Sequence, residues 1–233
     1  MSEIKKEIHD LLNEVERYLM QQEELFGEVL YHTAKVQELK TEWSDLKTLN
    51  ELNSKICNCL KCTLGHTRTN FVFGVGNPKS RVMFIGEAPG ADEDSQGEPF
   101  VGRAGQLLNK ILTAIEMKRE DVFICNILKC RPPENRDPLA GEMETCTPYL
   151  DKPIDLIKPQ FIVCLGRIAA QWLLKTNDSL TKMREKVHEY KGAKLIITYH
   201  PAALLRNPNW KLPAWEDMKL LKKLYDEPSI LNK

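Results

Sequence analysis

A chain of 233 residues can bury a sizeable core in one domain of ordinary size and still carry an appendage. Its 33 Lys and Arg balance 33 Asp and Glu, so net charge neither demands nor rules out a polyanionic partner. No apolar stretch reaches membrane-spanning length, and the amino terminus MSEIKKEIHD is too polar for a signal peptide, so a cytoplasmic protein without a membrane partner is expected. In that reducing setting seven cysteines point to metal binding or plain burial rather than to disulfides.

The charge is unevenly spread. Residues 1–50 hold 6 basic and 11 acidic side chains, and the remainder holds 27 and 22. From Ile4 to Val29, apolar residues recur at Ile4, Ile8, Leu11, Val15, Tyr18, Leu25 and Val29 in alternating steps of four and three, with polar Gln22 in one slot. That spacing predicts a helix with one apolar stripe, suited to packing on its own domain, to self-association or to docking another protein. Lys40 to Ser54 is polar and reads as a linker or second short helix. The domain boundary is placed near residue 50, leaving 1–50 as a helical extension of unknown role and 51–233 as the main domain.

The main domain alternates short β-rich runs with helical patterns. Arg81–Gly86, Asp121–Asn126, Gln160–Gly166 and Lys194–Tyr199 each read as a fully buried strand. Gly105–Ile115, Leu139–Ile157 with breaks at Pro148 and Pro153, and Arg167–Leu174 read as helices. Such alternation predicts an α/β fold whose parallel four-stranded sheet is covered on both faces. Ligands of such sheets bind beyond the carboxyl ends of the strands. Three suspicious segments follow strand ends: GEAPGADED, CNILKCRPPENRDP and YHPAALLRNP. Each alone has a bland explanation in a Gly-Pro turn, a helix-capping Asn126 or a core His200. Their convergence on one rim favours a site.

Cys59 and Cys62 form a C-x-x-C pair, and Cys130 and Cys146 lie far downstream. Four thiolates of this kind suit a tetrahedral zinc or a [4Fe–4S] cluster, and spacing alone does not choose. Cys57 sits close enough to the pair to be a substitute ligand, whereas Cys125 and Cys164 lie inside apolar strands and read as buried small hydrophobes.

GEAPGADEDSQGEPFVGRAGQLLN, NILKCRPPENRDP, ETCTPYL and TYHPAALLRNP together resemble the family 4 uracil-DNA glycosylases, and the resemblance runs over roughly three quarters of the chain. It implies a three-layer α/β/α sandwich that flips uracil out of single- or double-stranded DNA. The enzyme hydrolyses the N-glycosidic bond and leaves an abasic site for base excision repair. It also implies a structural [4Fe–4S] cluster, rather than zinc, on Cys59, Cys62, Cys130 and Cys146. Phe100 matches the ring that stacks on uracil, Asn126 the amide that reads its edge, and Glu87-Ala88-Pro89 the turn that gives backbone contacts. His200 matches the donor to uracil O2 as negative charge gathers there. The best-known members orient the attacking water with an aspartate; Ala88 stands in that slot, and Glu93 is the implied substitute, while Asp92 and Asp94 read as solvated turn acids or caps. Arg103, Arg131 and Arg136 are candidate phosphate contacts, and Leu204, Leu205 and Arg206 the candidate wedge that fills the flipped base's place. The competing readings are a covalent or non-catalytic uracil-DNA-binding member of the superfamily and a polymerase-accessory module. Against the covalent one, the segment between Cys130 and Cys146 has neither a histidine nor a basic insert.

Overall fold

The computed structural model describes residues 3–26, 43 and 45–227. The chain divides into two compact units, Met1–Ser44 and Asp45–Lys233. In the first, helix α1 (Glu3–Phe26) carries Ile8, Leu11, Leu12, Val15 and Met20 exposed to solvent. Val29 and the start of the predicted linker lie outside the described residues.

The second unit opens with α2 (Leu49–Ile56), started by a capping box in which Thr48 Oγ1 accepts the Glu51 N–H and the Glu51 carboxylate accepts the Thr48 N–H. Then follow α3 (Leu64–Thr67), β1 (Val75–Gly76), β2 (Val82–Gly86), α4 (Ala91–Gln96), α5 (Arg103–Ala114), β3 (Phe123–Asn126), α6 (Ala140–Cys146) and α7 (Pro148–Ile157). The chain continues through β4 (Phe161–Leu165), α8 (Arg167–Leu174), α9 (Leu180–Met183), β5 (His188–Tyr190), β6 (Ala193–Thr198), α10 (Pro201–Arg206) and α11 (Lys211–Asp226).

The sheet order is β1-β3-β2-β4-β6-β5. Its central four strands are parallel, as the buried runs predict, and the expected four-stranded sheet is extended to six by short antiparallel edges, β1 on β3 and β5 on β6. Two- and three-residue edges carry no apolar run, so periodicity misses them. The predicted break at Pro148 holds, since Pro148 is the first residue of α7. The break at Pro153 does not, because Pro153 lies inside α7 among buried Leu150, Ile154 and Ile157, and that packed face carries the helix past one lost hydrogen bond.

On one face of the sheet Phe84, Ile124, Val163 and Ile196 pack with Leu108 and Leu112 of α5 and Met218 and Leu221 of α11. The alternate residues Met83, Ile85, Ile162, Cys164, Leu195 and Ile197 are equally buried on the other face, where α8 lies against β4. Both faces being covered, the ligand-accessible part of the sheet is its edge of strand ends. Register pairs Gly86 with Asn126 and Leu165 with Thr198, which brings the ends of β2, β3, β4 and β6 together.

Candidate functional site

A cleft of about 710 Å³ opens at these strand ends and is lined, among others, by Glu87, Ala88, Pro89, Glu93, Phe100, Asn126, Arg136, His200, Arg206 and Trp210. Nine of the residues singled out from sequence therefore share one cavity. Asn126, the last residue of β3, is buried, and its Oδ1 has no hydrogen-bond partner among the described residues. A buried amide oxygen left unpaired is costly, and here it faces a cavity. Beside it, Gly86 has no room for a side chain. A Cβ there would collide with Asn126 Oδ1 and stand 2.7 Å from Phe100 Cζ. The close approach of Gly86 is what lets Asn126 and Phe100 meet at one point.

Phe100 is buried and sits at φ 54°, a left-handed backbone unusual for an aromatic residue. Glu93 sustains that conformation. One carboxylate oxygen accepts the N–H groups of Val101 and Gly102 at 3.0 and 3.1 Å, and the other accepts the Gly90 N–H at 3.1 Å. Both oxygens are thus engaged in holding the loop that presents Phe100, a bracing role that the expectation of Glu93 as a residue positioning water or stabilising the cation did not include. The expectation for Asp94 is corrected. It is buried and accepts the backbone N–H groups of Thr69 and Asn70, pinning the segment before β1 instead of facing solvent.

His200 caps α10, its Nδ1 accepting the Ala202 N–H at 3.2 Å. Burial, and secondarily the Arg206 charge, lower its pKa to about 4. The ring is therefore neutral near pH 7, with its proton on Nε2, a donor. It lies against Phe100, ring centroids 5.4 Å apart and planes inclined by 33°. The cleft also holds a titrating carboxyl that the sequence did not single out for its side chain. Burial, reinforced by Asp137 and opposed by Arg167, raises Glu87 to about 7.

The predicted DNA contacts separate. Arg103 is exposed at the start of α5. Arg131 donates to Asn135 Oδ1 at 2.8 Å. Arg136 forms a bidentate pair with buried Glu142 at 2.9 and 2.6 Å, so much of its guanidinium serves the loop before α6. In α10 the wedge candidates divide by helix geometry: Leu204 turns into the core, which removes it from the wedge, while Leu205 and Arg206 are exposed.

Cys59, Cys62, Cys130 and Cys146 come close enough for their thiols to act on one another electrostatically. Burial raises the pKa of Cys130 and pushes Cys146 to about 12. Donors surround the sulfurs: Tyr149 Oη–H to Cys59 at 3.2 Å, Arg68 Nη1 to Cys130 at 3.3 Å and the Lys129 N–H to Cys146 at 3.4 Å. Arg68 also binds the carbonyls of Cys57 and Cys59, at 2.8 and 2.6 Å, tying the C-x-x-C loop to Cys130. Among the described residues, no group of three or more His, Cys, Asp or Glu side chains is arranged around a single-ion site. Cys57 donates its thiol to Ser54 O instead, and Cys125 and Cys164 are buried in β3 and β4 as read. Arg68 and Lys129 carry no motif of their own, which is why sequence reasoning passes over them. Fully buried Lys129 bonds the Asn126 carbonyl through Nζ at 2.8 Å, joining the cysteine group to the cleft.

The profile of the Uracil DNA glycosylase superfamily matches residues 73–219, and the chain belongs to that superfamily. It is 46% identical to a type-4 uracil-DNA glycosylase of Archaeoglobus fulgidus over 187 residues, 77% of this chain and 94% of the relative. It is 44% identical to a type-4 enzyme of Thermotoga maritima over 67% of this chain and 82% of that one. To a type-5 uracil-DNA glycosylase of Pyrobaculum aerophilum it is 31% identical, over 55% and 64%. Within the superfamily, it falls in the type-4 family.

Proposed function

We propose that the protein is a DNA-repair hydrolase that excises uracil from DNA. The observation that carries this reading is the unpaired Oδ1 of buried Asn126, which shares with Phe100 the close approach of Gly86 in a cleft with room for a base and its sugar. The Asn126 amide offers one acceptor and two donors. Uracil answers with its N3–H donor and O4 acceptor, and cytosine, which reverses both, does not. Phe100 stacks on the flipped ring, and His200 Nε2–H donates to O2 as the glycosidic bond breaks and the pyrimidine becomes an anion. A neutral donor suits that task, because it binds the developing charge without surrendering its proton beforehand. The carboxylate form of Glu87 faces the same cavity and supplies negative charge toward a cationic sugar. Glu93 acts one step back, as the brace of the Phe100 loop. Arg103, Arg131, Leu205 and Arg206 are the proposed strand contacts, with exposed Leu205 as the wedge.

The donor chemistry of the cysteine set fits a [4Fe–4S] cluster: four electrostatically linked thiols, three of them with N–H or O–H donors on sulfur, as electron-rich thiolates require. Cys59, Cys62, Cys130 and Cys146 would hold it, and when bound it would staple the loops before β1 and around α6. Uracil-containing DNA, single-stranded or duplex, is the proposed substrate, and the cytoplasm the proposed place of work.

Asn126→Asp tests the recognition step. It exchanges the donor for a second acceptor and is expected to lower kcat/KM for uracil release roughly 5- to 150-fold, the weight of a buried hydrogen bond left unmade. Undiminished release by this variant would sink the assigned role.

A further inference from the structure

Trp210 lines the same cleft as Asn126 and His200, yet 39% of its surface remains in solvent. Leaving an indole in water forgoes stabilisation, so its position calls for an explanation outside the core. The ring is firmly held. It stacks on Tyr199, with ring centroids 5.1 Å apart and planes inclined by 17°. Tyr199 is backed by Arg184, whose guanidinium carbon stands 4.6 Å from the phenol centroid and whose Nη1 donates to the hydroxyl at 3.4 Å. Arg184 is fixed by two 2.8 Å bonds to Asp217 and one of 2.7 Å to the Pro213 carbonyl, with the Arg184 and Asp217 side chains only 3% and 2% exposed.

Guanidinium, phenol and indole thus form a column running from a buried ion pair to the lip of the cleft. An aromatic ring has two faces. Tyr199 stacks on one face of the indole, and the 39% left in solvent is area that a further ring could cover. Tyr199 directly precedes His200 in the chain, which sets the column one residue from the side chain that faces the excised base. Arg206 and Lys211 are exposed on either side of the turn that carries Trp210, cations suited to backbone phosphates.

We infer that the open face of Trp210 is a subsite for an unpaired nucleobase adjoining the flipped uracil. The inference rests on uracil excision at this cleft and adds a second base-binding position to it. Stacking is indifferent to base identity, since every base presents a π-face, so the subsite accepts any neighbour. It discriminates by strand state. In a single strand the neighbouring base is free to turn onto the indole, whereas in a duplex it remains paired and stacked in its own helix. The column therefore favours single-stranded or locally opened DNA.

The test compares the unmodified protein with Trp210→Ala and Trp210→Phe on single-stranded oligonucleotides carrying one uracil. One substrate has bases on both sides; the other two carry a stable abasic residue on the 5′ or on the 3′ side of the uracil. Trp210→Ala is expected to lower kcat/KM about 5- to 100-fold on the fully based strand, the range that base–aromatic stacking commands. The loss should shrink toward unity on one of the two abasic substrates, and Trp210→Phe should recover most of the activity. Equal losses on all three substrates would make Trp210 a structural rim residue and overturn the inference. Fluorescence anisotropy of the same labelled strands reads the subsite without turnover, expecting the same base-dependent pattern of affinity. A protein that shows this pattern in binding but releases no uracil would retain the subsite and refute excision.

Discussion

Glu87 and His200 titrate on opposite sides of their ordinary values, and each leaves a mark on the pH profile. His200 at about 4 is neutral through the physiological range, so kcat/KM is expected to show no inflection near 6.5. Glu87 at about 7 is half ionised there, and activity should rise as pH passes about 7 and the carboxylate forms. Glu87→Gln should abolish that inflection, and its persistence in the variant would assign it elsewhere. The stability signs differ. Between about 6.5 and 4 the unfolded chain takes up the His200 proton first, so this group's contribution falls with acidification. Between about 4.5 and 7 the folded chain holds the Glu87 proton longer, so that contribution falls as pH rises. His200→Ala removes the O2 donor and is expected to reduce kcat about 10²- to 10³-fold, read in single-turnover release of uracil. Gly86→Ala tests the packing claim, because the added methyl must displace Asn126 Oδ1 or the Phe100 ring. Uracil release should collapse while the melting transition shifts by no more than overpacking implies, about 1–3 kcal/mol. Asn126 and His200 drew notice in the sequence because one ends a strand run and the other follows one, whereas Phe100 and the roles proposed for all three came from the family resemblance. Glu87 as a titrating group was not legible, since its upward shift arises from burial and from Asp137, against the opposing charge of Arg167, and both residues lie far off in sequence.

The elements divide in the same way. The four parallel strands announce themselves as unbroken apolar runs, and Arg167–Leu174 is helical over the span its pattern gives. The edge strands β1 and β5 are too short to carry a pattern and exist by pairing with β3 and β6. The fate of the Ala-Leu-Leu run in α10 is likewise tertiary: a six-residue helix turns Leu204 inward and Leu205 outward, and only the packed structure says which. Within the loop carrying the C-x-x-C pair, Arg68 holds two carbonyls and the Cys130 sulfur at once. Arg68→Met is expected to yield protein that retains less iron after purification and loses its brown colour faster in air, with uracil release declining in step. Full iron content in this variant would show that the backbone loop needs no such brace.

At the scale of the whole molecule, cysteine group and base cleft are parts of one assembly. Lys129 donates its backbone N–H to Cys146 and its ammonium to the carbonyl of Asn126, so the residues that would hold the cluster and the residue proposed to read the base are joined through one buried residue. Loss of the metal group should therefore loosen recognition as well as loops. Purified anaerobically, the protein is expected to be brown and to contain four irons; a colourless protein with one zinc and no iron would overturn the cofactor assignment. In the other unit, Ile8, Leu11, Leu12, Val15 and Met20 of α1 are exposed. The measurement that bears most directly on the central claim is release of free base from a uracil-containing oligonucleotide by the cluster-loaded, full-length protein, without added metal. The account predicts free uracil and an alkali-labile abasic site at the uracil position, with thymine and cytosine left in place. A protein that binds the oligonucleotide and never generates that site would contradict it.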